Sequence, residues 1–128
     1  MARIRTIKPD FFRHELLQEI EIDNPGCYAM LVYSALWGHC DKHGLFEWKP
    51  RQMQLDIIPF IWEATGKCLR STLEILVNYG FITLYTDGLK YYGHIESFTD
   101  HQRIQGKESQ APSSLPNIEG LQLIDIIS

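Results

Sequence analysis

The sequence is poor in positive charge and in cysteine, and it has no long apolar run. It carries 12 Lys and Arg against 16 Asp and Glu, a formal net charge of −4. That balance argues against a general nucleic-acid coat, which holds phosphates through an excess of cations. The three cysteines, Cys27, Cys40 and Cys68, are widely spaced and odd in number. They favour reduced thiols in a cytosolic protein over a disulfide framework.

Several other classes lack their signatures. No apolar run approaches the roughly 18 residues of a membrane-spanning helix, and no apolar stretch of a secretory signal follows the basic start. We therefore expect a cytoplasmic protein without a membrane role. Common phosphate-loop, dinucleotide, hydrolase and zinc-protease motifs are missing. The sequence thus predicts a binding module, with no enzymatic activity and no cofactor.

One cluster has metal-ligand chemistry, formed by His39, Cys40 and His43. A structural zinc site needs four ligands, and the chain has no paired CxxC motif to complete one. Histidines near a helix end, beside the negative pole of the helix dipole, are the favoured interpretation. We predict no metal site.

The chain has the composition of one globular domain, with 3 Trp, 6 Tyr and 6 Phe in 128 residues. Its charges are unevenly placed. Residues 1–13 are net basic, whereas residues 14–41 hold five acidic side chains and neither Lys nor Arg. Such a division indicates a polarised surface, which bears on partners more than on fold.

The pattern of apolar residues, caps and turns predicts helices, strands and a hairpin in a definite order. Asp10 is the expected N-cap of the first helix, Gly80 ends the last one, and Asp87-Gly88 is a strong hairpin signal. The predicted elements are a short helix at Asp10–Ile20, a buried helix at Gly26–Cys40, a short strand at Leu45–Trp48, helices at Pro50–Ile57 and Gly66–Tyr79, and hairpin strands at Phe81–Tyr85 and Leu89–Ile95.

This order predicts an α+β fold of the winged helix-turn-helix kind. Three helices form the core, a β-hairpin forms the wing, and the short third strand pairs with the hairpin. We divide the chain into a basic arm with a short helix (1–24), the winged-helix domain (25–108), and a linker with an apolar tail (109–128). One shared core is predicted for Leu36, Trp37, Leu69, Leu73, Leu76 and Phe81. The tail is expected to pack on the domain, on a second copy or on a partner.

Stretches across residues 1–105 resemble a family of phage and prophage replication initiation proteins, of the replisome organiser-like kind. The segments that carry the resemblance are MARIRTIKPDFF, SALWGHCDKHG, KPRQMQLDIIPF, TLEILVNYGFITLY and HQRI. The resemblance implies an N-terminal winged helix that acts in DNA replication inside a bacterial host cell. It also implies replisome proteins as partners.

The third core helix is the predicted DNA-reading element, because many winged helices place this helix in the major groove. At 100° per residue, one polar stripe of this helix contains Lys67, Arg70, Ser71, Glu74 and Asn78. These side chains suit contacts with bases and phosphates, although Glu74 would repel phosphate. The alternative is the plain solvated face of an amphipathic helix.

Basic residues elsewhere extend the predicted interface. The N-terminal arm resembles arms that enter a minor groove. The alternatives are a disordered terminus or an arm folded back on the acidic block of residues 14–41, anchored by Ile4, Ile7 and Phe11. Tyrosines of the wing are expected to pack against the helices more often than to stack on bases. Further DNA-binding candidates are Arg3, Arg5 and Lys8 in the arm, Lys49 and Arg51 beside Pro50, Lys90 in the wing, and Arg103 and Lys107 after the hairpin.

The sequence leaves two functions open. The first is DNA binding in replication initiation or its control, with duplex DNA favoured over single strands. The second is a protein–protein adaptor, which docks on a replisome component or self-associates as a homodimer. The acidic net charge and the weakly basic wing favour the second.

Overall fold

The computed structural model describes residues 5–63, 65–98 and 113–125. Within these ranges the chain folds as α+β, as predicted, with four α-helices and one four-stranded sheet. The helices are α1 (Glu15–Asp23), α2 (Ala29–His39), α3 (Pro50–Ile57) and α4 (Leu69–Asn78). The strands are β1 (Leu45–Glu47), β2 (Ile82–Thr86), β3 (Tyr91–Ile95) and β4 (Gln122–Ile124). No helix among the described residues is long and apolar enough to cross a membrane.

The first predicted helix is in fact two elements. A 3-10 helix covers Pro9–Arg13, and α1 begins only after His14, whose backbone is extended. The predicted N-cap, Asp10, is therefore wrong, because the imidazole Nδ1 of His14 accepts the amide of Leu17 at 3.4 Å instead. The break has a packing cause. The 3-10 turn brings the ring of Phe11 to 5.0 Å from that of Trp37, and Phe11 is buried there.

The second helix is the centre of the core, as predicted from its nearly continuous apolar run. It starts at Ala29, later than predicted, because Tyr28 before it has a left-handed backbone with φ of 55°. Its first turn is capped from another element. The carboxylate of Glu21, on α1, accepts the amide of Met30 at 2.8 Å. This bond fixes α1 against the start of α2.

All six predicted core residues belong to one buried cluster, which confirms that prediction. Leu73 is fully buried, and so are its helix neighbours Leu69 and Leu76. Helix α4 is also held by a buried hydrogen bond, since the hydroxyl of Thr72 donates to the carbonyl of Cys27 at 2.6 Å. The helix ends as predicted, at a glycine with φ of +84°, Gly80.

The hairpin and the short strand pair as predicted. Strand β3 lies between β1 and β2, all antiparallel, and the sheet order is β1-β3-β2-β4. Phe46 lies opposite Gly93, and a Cβ at position 93 would collide with the phenylalanine ring. The glycine thus lets the ring of a core residue lie directly on the central strand.

The C-terminal tail adds an unpredicted fourth strand. Strand β4 pairs with β2, with Ile124 opposite Leu84 and Leu123 opposite Tyr85. Ile124 packs against the core, whereas Leu123 stays 60% exposed. The described part of the tail therefore packs on its own domain, one of the three expected outcomes. Beyond the other edge of the sheet, the hydroxyl of Ser113 donates to the buried carboxylate of Asp41 at 2.6 Å.

Candidate nucleic-acid interface

Helices α3 and α4 begin beside each other. Pro50 is the first residue of α3, where its missing N–H costs nothing. The side-chain oxygen of Gln54, one turn further along, accepts the amide of Leu69 at 2.8 Å. A side chain of α3 thereby caps the first turn of α4. The side chain of Cys68, the N-cap residue of α4, makes no such hydrogen bond. The two helix starts are held together by this bond.

A cleft of about 770 Å³ opens between these helix starts. Three of its lining residues are cations: Lys49, Arg51 and Arg70. The rest of the lining is Pro50, Gln52, Gln54, Leu55 and Cys68. Among the residues that the structure describes, no Asp or Glu lines the cleft. The three cations in its lining suit an anionic group.

The cations of the cleft differ in whether they form ion pairs within the protein. Arg51 is exposed, and it has neither an ion pair nor a side-chain hydrogen bond within the described residues. Arg70 lies 3.0 Å through its Nε from the carboxylate of Glu74, one turn further along α4. Both partners of this pair are about half exposed, so its net contribution to stability is small.

A single carboxylate connects the cleft to the hairpin. The Oε1 atom of Glu47 lies 3.5 Å from the Nζ of Lys49 and 3.6 Å from the Nζ of Lys90. Lys90 precedes β3 in the hairpin turn, and Lys49 precedes α3. Cations from three elements are therefore neighbours, and we call Arg70, Arg51, Lys49 and Lys90 the cationic row.

Lys67 was predicted to share a polar stripe with Arg70 on the third core helix, but the structure does not place it there. Helix α4 starts at Leu69, so Lys67 lies before the helix and not one turn from Arg70 on it. Gly66 has φ of +72°, which interrupts the helical path, and the ammonium of Lys67 donates to the carbonyl of Pro25 at 2.7 Å. Lys67 thus ties the start of α4 to the turn before α2.

The two remaining predicted residues of α4 are exposed. The hydroxyl of Ser71 donates to the carbonyl of Cys68 at 2.7 Å, so its proton is already engaged. Asn78 is the last residue of the helix, about 12 Å along the axis from Arg70 at 1.5 Å per residue. Ser71 is next to the cleft, whereas Asn78 is at the far end of the helix.

The described part of the arm is folded onto the core at Arg5. Its Nε donates to the carbonyl of Trp37 at 2.7 Å, and its guanidinium lies 5.5 Å from the ring centre of Phe98. Arg5 therefore contacts Trp37, within the acidic block of residues 14–41, and this agrees with the alternative of a folded-back arm. Lys8 is exposed. The predictions for Arg3, Arg103 and Lys107 fall outside the described residues.

The turn of the hairpin is rigid at its base. The carboxylate of Asp87 accepts the amides of Lys90 and Leu89, at 2.7 and 2.8 Å, and these bonds hold its pKa below the usual range. The phenol of Tyr92 donates to the same carboxylate at 3.1 Å. Burial, and then this acidic partner, raise the pKa of Tyr92. Tyr92 is buried, as expected for a packing tyrosine, whereas Tyr91 is 42% exposed.

The histidine and cysteine cluster does not assemble into a metal centre. Across residues 5–63, 65–98 and 113–125, no three His, Cys, Asp or Glu side chains are grouped so as to hold a metal ion. His39 is the last residue of α2, and Cys40 is buried as its C-cap. The backbone carbonyl of His43 lies 3.0 Å from Nε2 of His94, so this segment contacts the sheet.

Two residues of the site were missed from the sequence, Glu47 and Gln54. The alternation in Leu45–Trp48 predicted a strand, and only its register against the hairpin, with Glu47 opposite Tyr92, brings Glu47 near Lys90. Gln54 showed no signal, because a helix-capping glutamine from another helix has no fixed spacing in sequence.

Comparison with protein-family models, with curated proteins and with solved structures finds no match for this chain.

Proposed function

We propose that this chain is a winged-helix protein that binds DNA through the cationic row. The order of elements supports the fold assignment: α2, α3 and α4 are the three core helices, β2 and β3 are the wing, and β1 pairs with the wing. In this arrangement α3 and α4 form the helix-turn-helix unit. Helix α4 is the element that enters the major groove.

The observation that carries the proposal is the convergence of Lys49, Arg51 and Arg70 on one cleft, whose described lining residues include no Asp or Glu. The three residues come from the starts of two helices, so backbone amides at the positive helix ends add to the charge of the side chains. Lys90 extends the same row to the wing. On this proposal, the cations of the row contact phosphates of the duplex.

The row contacts backbone rather than base edges. Most protein–DNA hydrogen bonds go to phosphate and sugar, and they fix register without reading sequence. The chain's net charge of −4 means that binding depends on such local groups of cations and not on an overall positive charge. We expect moderate affinity for duplex DNA with strong salt dependence.

The biological part that we propose is the initiation of phage DNA replication or its control. The support for it is the resemblance of the segments in residues 1–105 to phage replication initiation proteins. On this proposal the chain works in the bacterial cytoplasm, on duplex DNA, together with replisome proteins.

A salt-dependent titration tests the binding. Fluorescence anisotropy with a labelled duplex is measured for the wild type, for Arg51→Gln, and for Arg13→Gln as a control. Arg13 is exposed in the 3-10 helix, away from the cleft, so the control removes the same charge elsewhere. We expect Arg51→Gln to lower the slope of log K against log salt by about 0.9, one phosphate contact on B-DNA. Equal slopes for Arg51→Gln and Arg13→Gln would overturn the proposal.

The adaptor function is a second candidate, because one face of α1 carries exposed apolar side chains and three carboxylates that make no hydrogen bond or ion pair among the described residues. Binding to duplex DNA without any salt dependence, or no binding at all, would favour it.

A further inference from the structure

Helix α1 has an outer face that combines negative charge with exposed apolar side chains. Glu15, Glu19 and Asp23 follow each other at steps of four residues, so they form one ridge along the helix. Leu16 and Ile22 flank this ridge, and they are 36% and 75% exposed. We call these five residues the acidic face.

The acidic face has no partner inside the described fold. None of its three carboxylates makes a hydrogen bond or an ion pair with another described residue. Glu21 on the same helix is different, because its carboxylate caps Met30 at the start of α2. The helix is held in place by Glu21 and by its buried residues Leu17 and Ile20, so the acidic face is not needed for packing.

The cleft between α3 and α4 has the complementary composition. It presents Lys49, Arg51 and Arg70, three cations against three carboxylates. It also presents an exposed apolar side chain, Leu55, which is 63% exposed. Large exposed apolar side chains beside matched charges are the composition of a protein-binding surface.

The two surfaces cannot satisfy each other within one chain. Helix α1 packs against α2, and no residue of α1 lines the cleft. Both surfaces are nevertheless present on every copy of the chain. A contact between different patches of identical chains is heterologous, and it builds open assemblies unless the rotation closes a ring.

We propose that the acidic face of one copy docks into the cationic cleft of a second copy. The carboxylates of Glu15, Glu19 and Asp23 pair with Lys49, Arg51 and Arg70, and Leu16 or Ile22 covers Leu55. Head-to-tail repetition of this contact produces a chain of molecules. The assembly forms without DNA, so it does not depend on the proposed function. Because DNA would use the same cleft, a duplex and a neighbouring copy exclude each other there.

Sedimentation velocity over a range of protein concentrations, at low and high salt, tests this contact. One variant, Glu15→Gln with Glu19→Gln, neutralises the acidic face; another, Lys49→Gln with Arg51→Gln, neutralises the cleft. We expect wild-type mass to rise with concentration and to fall with salt. Each variant should associate about tenfold more weakly, because each exposed ion pair contributes a few-fold.

Mixing the two variants gives the sharpest result. The first retains a normal cleft and the second retains a normal acidic face, so one contact forms between them and cannot propagate. We expect the mixture to stop at a 1:1 pair, where the wild type continues to larger species. Glu63→Gln with Glu119→Gln, two exposed acidic residues outside α1, should leave wild-type association unchanged.

Specific outcomes overturn the contact. A wild type that stays monomeric, variants that associate as the wild type does, or a mixture that stays monomeric would each do so, provided that thermal unfolding shows all variants folded. Failure of DNA binding is recognised separately. The acidic-face variant keeps the whole cationic row, so its affinity for duplex DNA reports on the proposed function alone.

Discussion

Helices α1 and α4 are similar in length and amphipathic, yet they are held by different means. Helix α4 buries four of its ten residues, including a threonine whose hydroxyl bonds across to the α2 entrance. Helix α1 buries two of its nine residues and relies on the carboxylate of Glu21. The difference teaches that the buried face of α4 is needed for the fold, and that only its exposed face is available for binding. The outer surface of α1, in contrast, can change without loss of the fold.

The buried face of α4 gives the largest expected effect. Leu73→Ala removes a fully buried side chain and should cost about 2–5 kcal/mol of unfolding free energy, through lost burial and a cavity. Leu16→Ala on α1 should cost about 0.5 kcal/mol or less, as surface substitutions do. Urea unfolding measures both. Similar losses for the two would mean that α1 is as deeply integrated as α4.

The buried hydroxyl of α4 comes next. Thr72→Val keeps the shape but leaves the carbonyl of Cys27 without its 2.6 Å donor, at a cost of about 1–3 kcal/mol. Ser71→Ala, beside it, removes an exposed hydroxyl and should change stability by about 0.5 kcal/mol at most. If chemical denaturation gives the same loss of unfolding free energy for both variants, the hydrogen bond from Thr72 to Cys27 does not stabilise the packing of α4 against the start of α2.

The exposed edge of α4 affects binding more than stability. Arg70→Ala should weaken duplex binding and lower the salt slope by about one unit per lost phosphate contact. Glu74→Ala should leave binding to random duplex unchanged or slightly tighter, because Glu74 neutralises Arg70 at 3.0 Å. Anisotropy titrations at several salt concentrations decide this. Weaker binding by Glu74→Ala would show that Glu74 holds Arg70 in its binding position.

The N-terminal arm offers the same comparison between a residue bonded to the core and an exposed residue. Arg5→Ala removes the bond to the carbonyl of Trp37 and should lower stability by about 1 kcal/mol. Arg13→Ala, at an exposed position of the 3-10 helix, should not. Thermal unfolding of the two variants separates these cases. Equal melting temperatures would mean that Arg5 is not part of the core.

The hairpin that follows α4 carries the smallest expected effect, a pH dependence. The amides of Lys90 and Leu89 lower the pKa of Asp87 in the folded state, so Asp87 contributes stability above its unfolded pKa. This contribution is lost as pH falls through the lowered folded pKa. Wild type should therefore exceed Asp87→Asn in melting temperature at neutral pH, and the gap should close in acid, below the ordinary Asp range. A gap that persists in acid would contradict this.

Much of the fold was predictable because local signals were strong. Pro50 set the start of α3, Gly80 set the end of α4, and Asp87-Gly88 set the hairpin. Three predicted helix starts failed. At the first helix, the burial of Phe11 beside Trp37 overrides local propensity. At α2 and α4, a residue with positive φ, Tyr28 or Gly66, precedes the helix and delays its start.

The candidate site was predictable as a set of residues but not as an arrangement. Lys49, Arg51, Arg70 and Lys90 were all named from the sequence, and the cleft that gathers three of them depends on the bond from Leu69 to Gln54. Lys67 looked equivalent to Arg70 on a helical projection. Only the three-dimensional path of the chain shows that its ammonium instead bonds to Pro25.

Strand β4 has a consequence for the order in which the protein is made. A ribosome completes β2 and β3 before it reaches residues 122–124, so the growing chain exposes the outer hydrogen-bonding edge of β2 for that interval. Open strand edges recruit other strands, and nascent chains on one messenger are close together. Pairing of Leu123 and Ile124 with β2 covers this edge, so a chain that lacks residues 122–124 would keep it open to other strands.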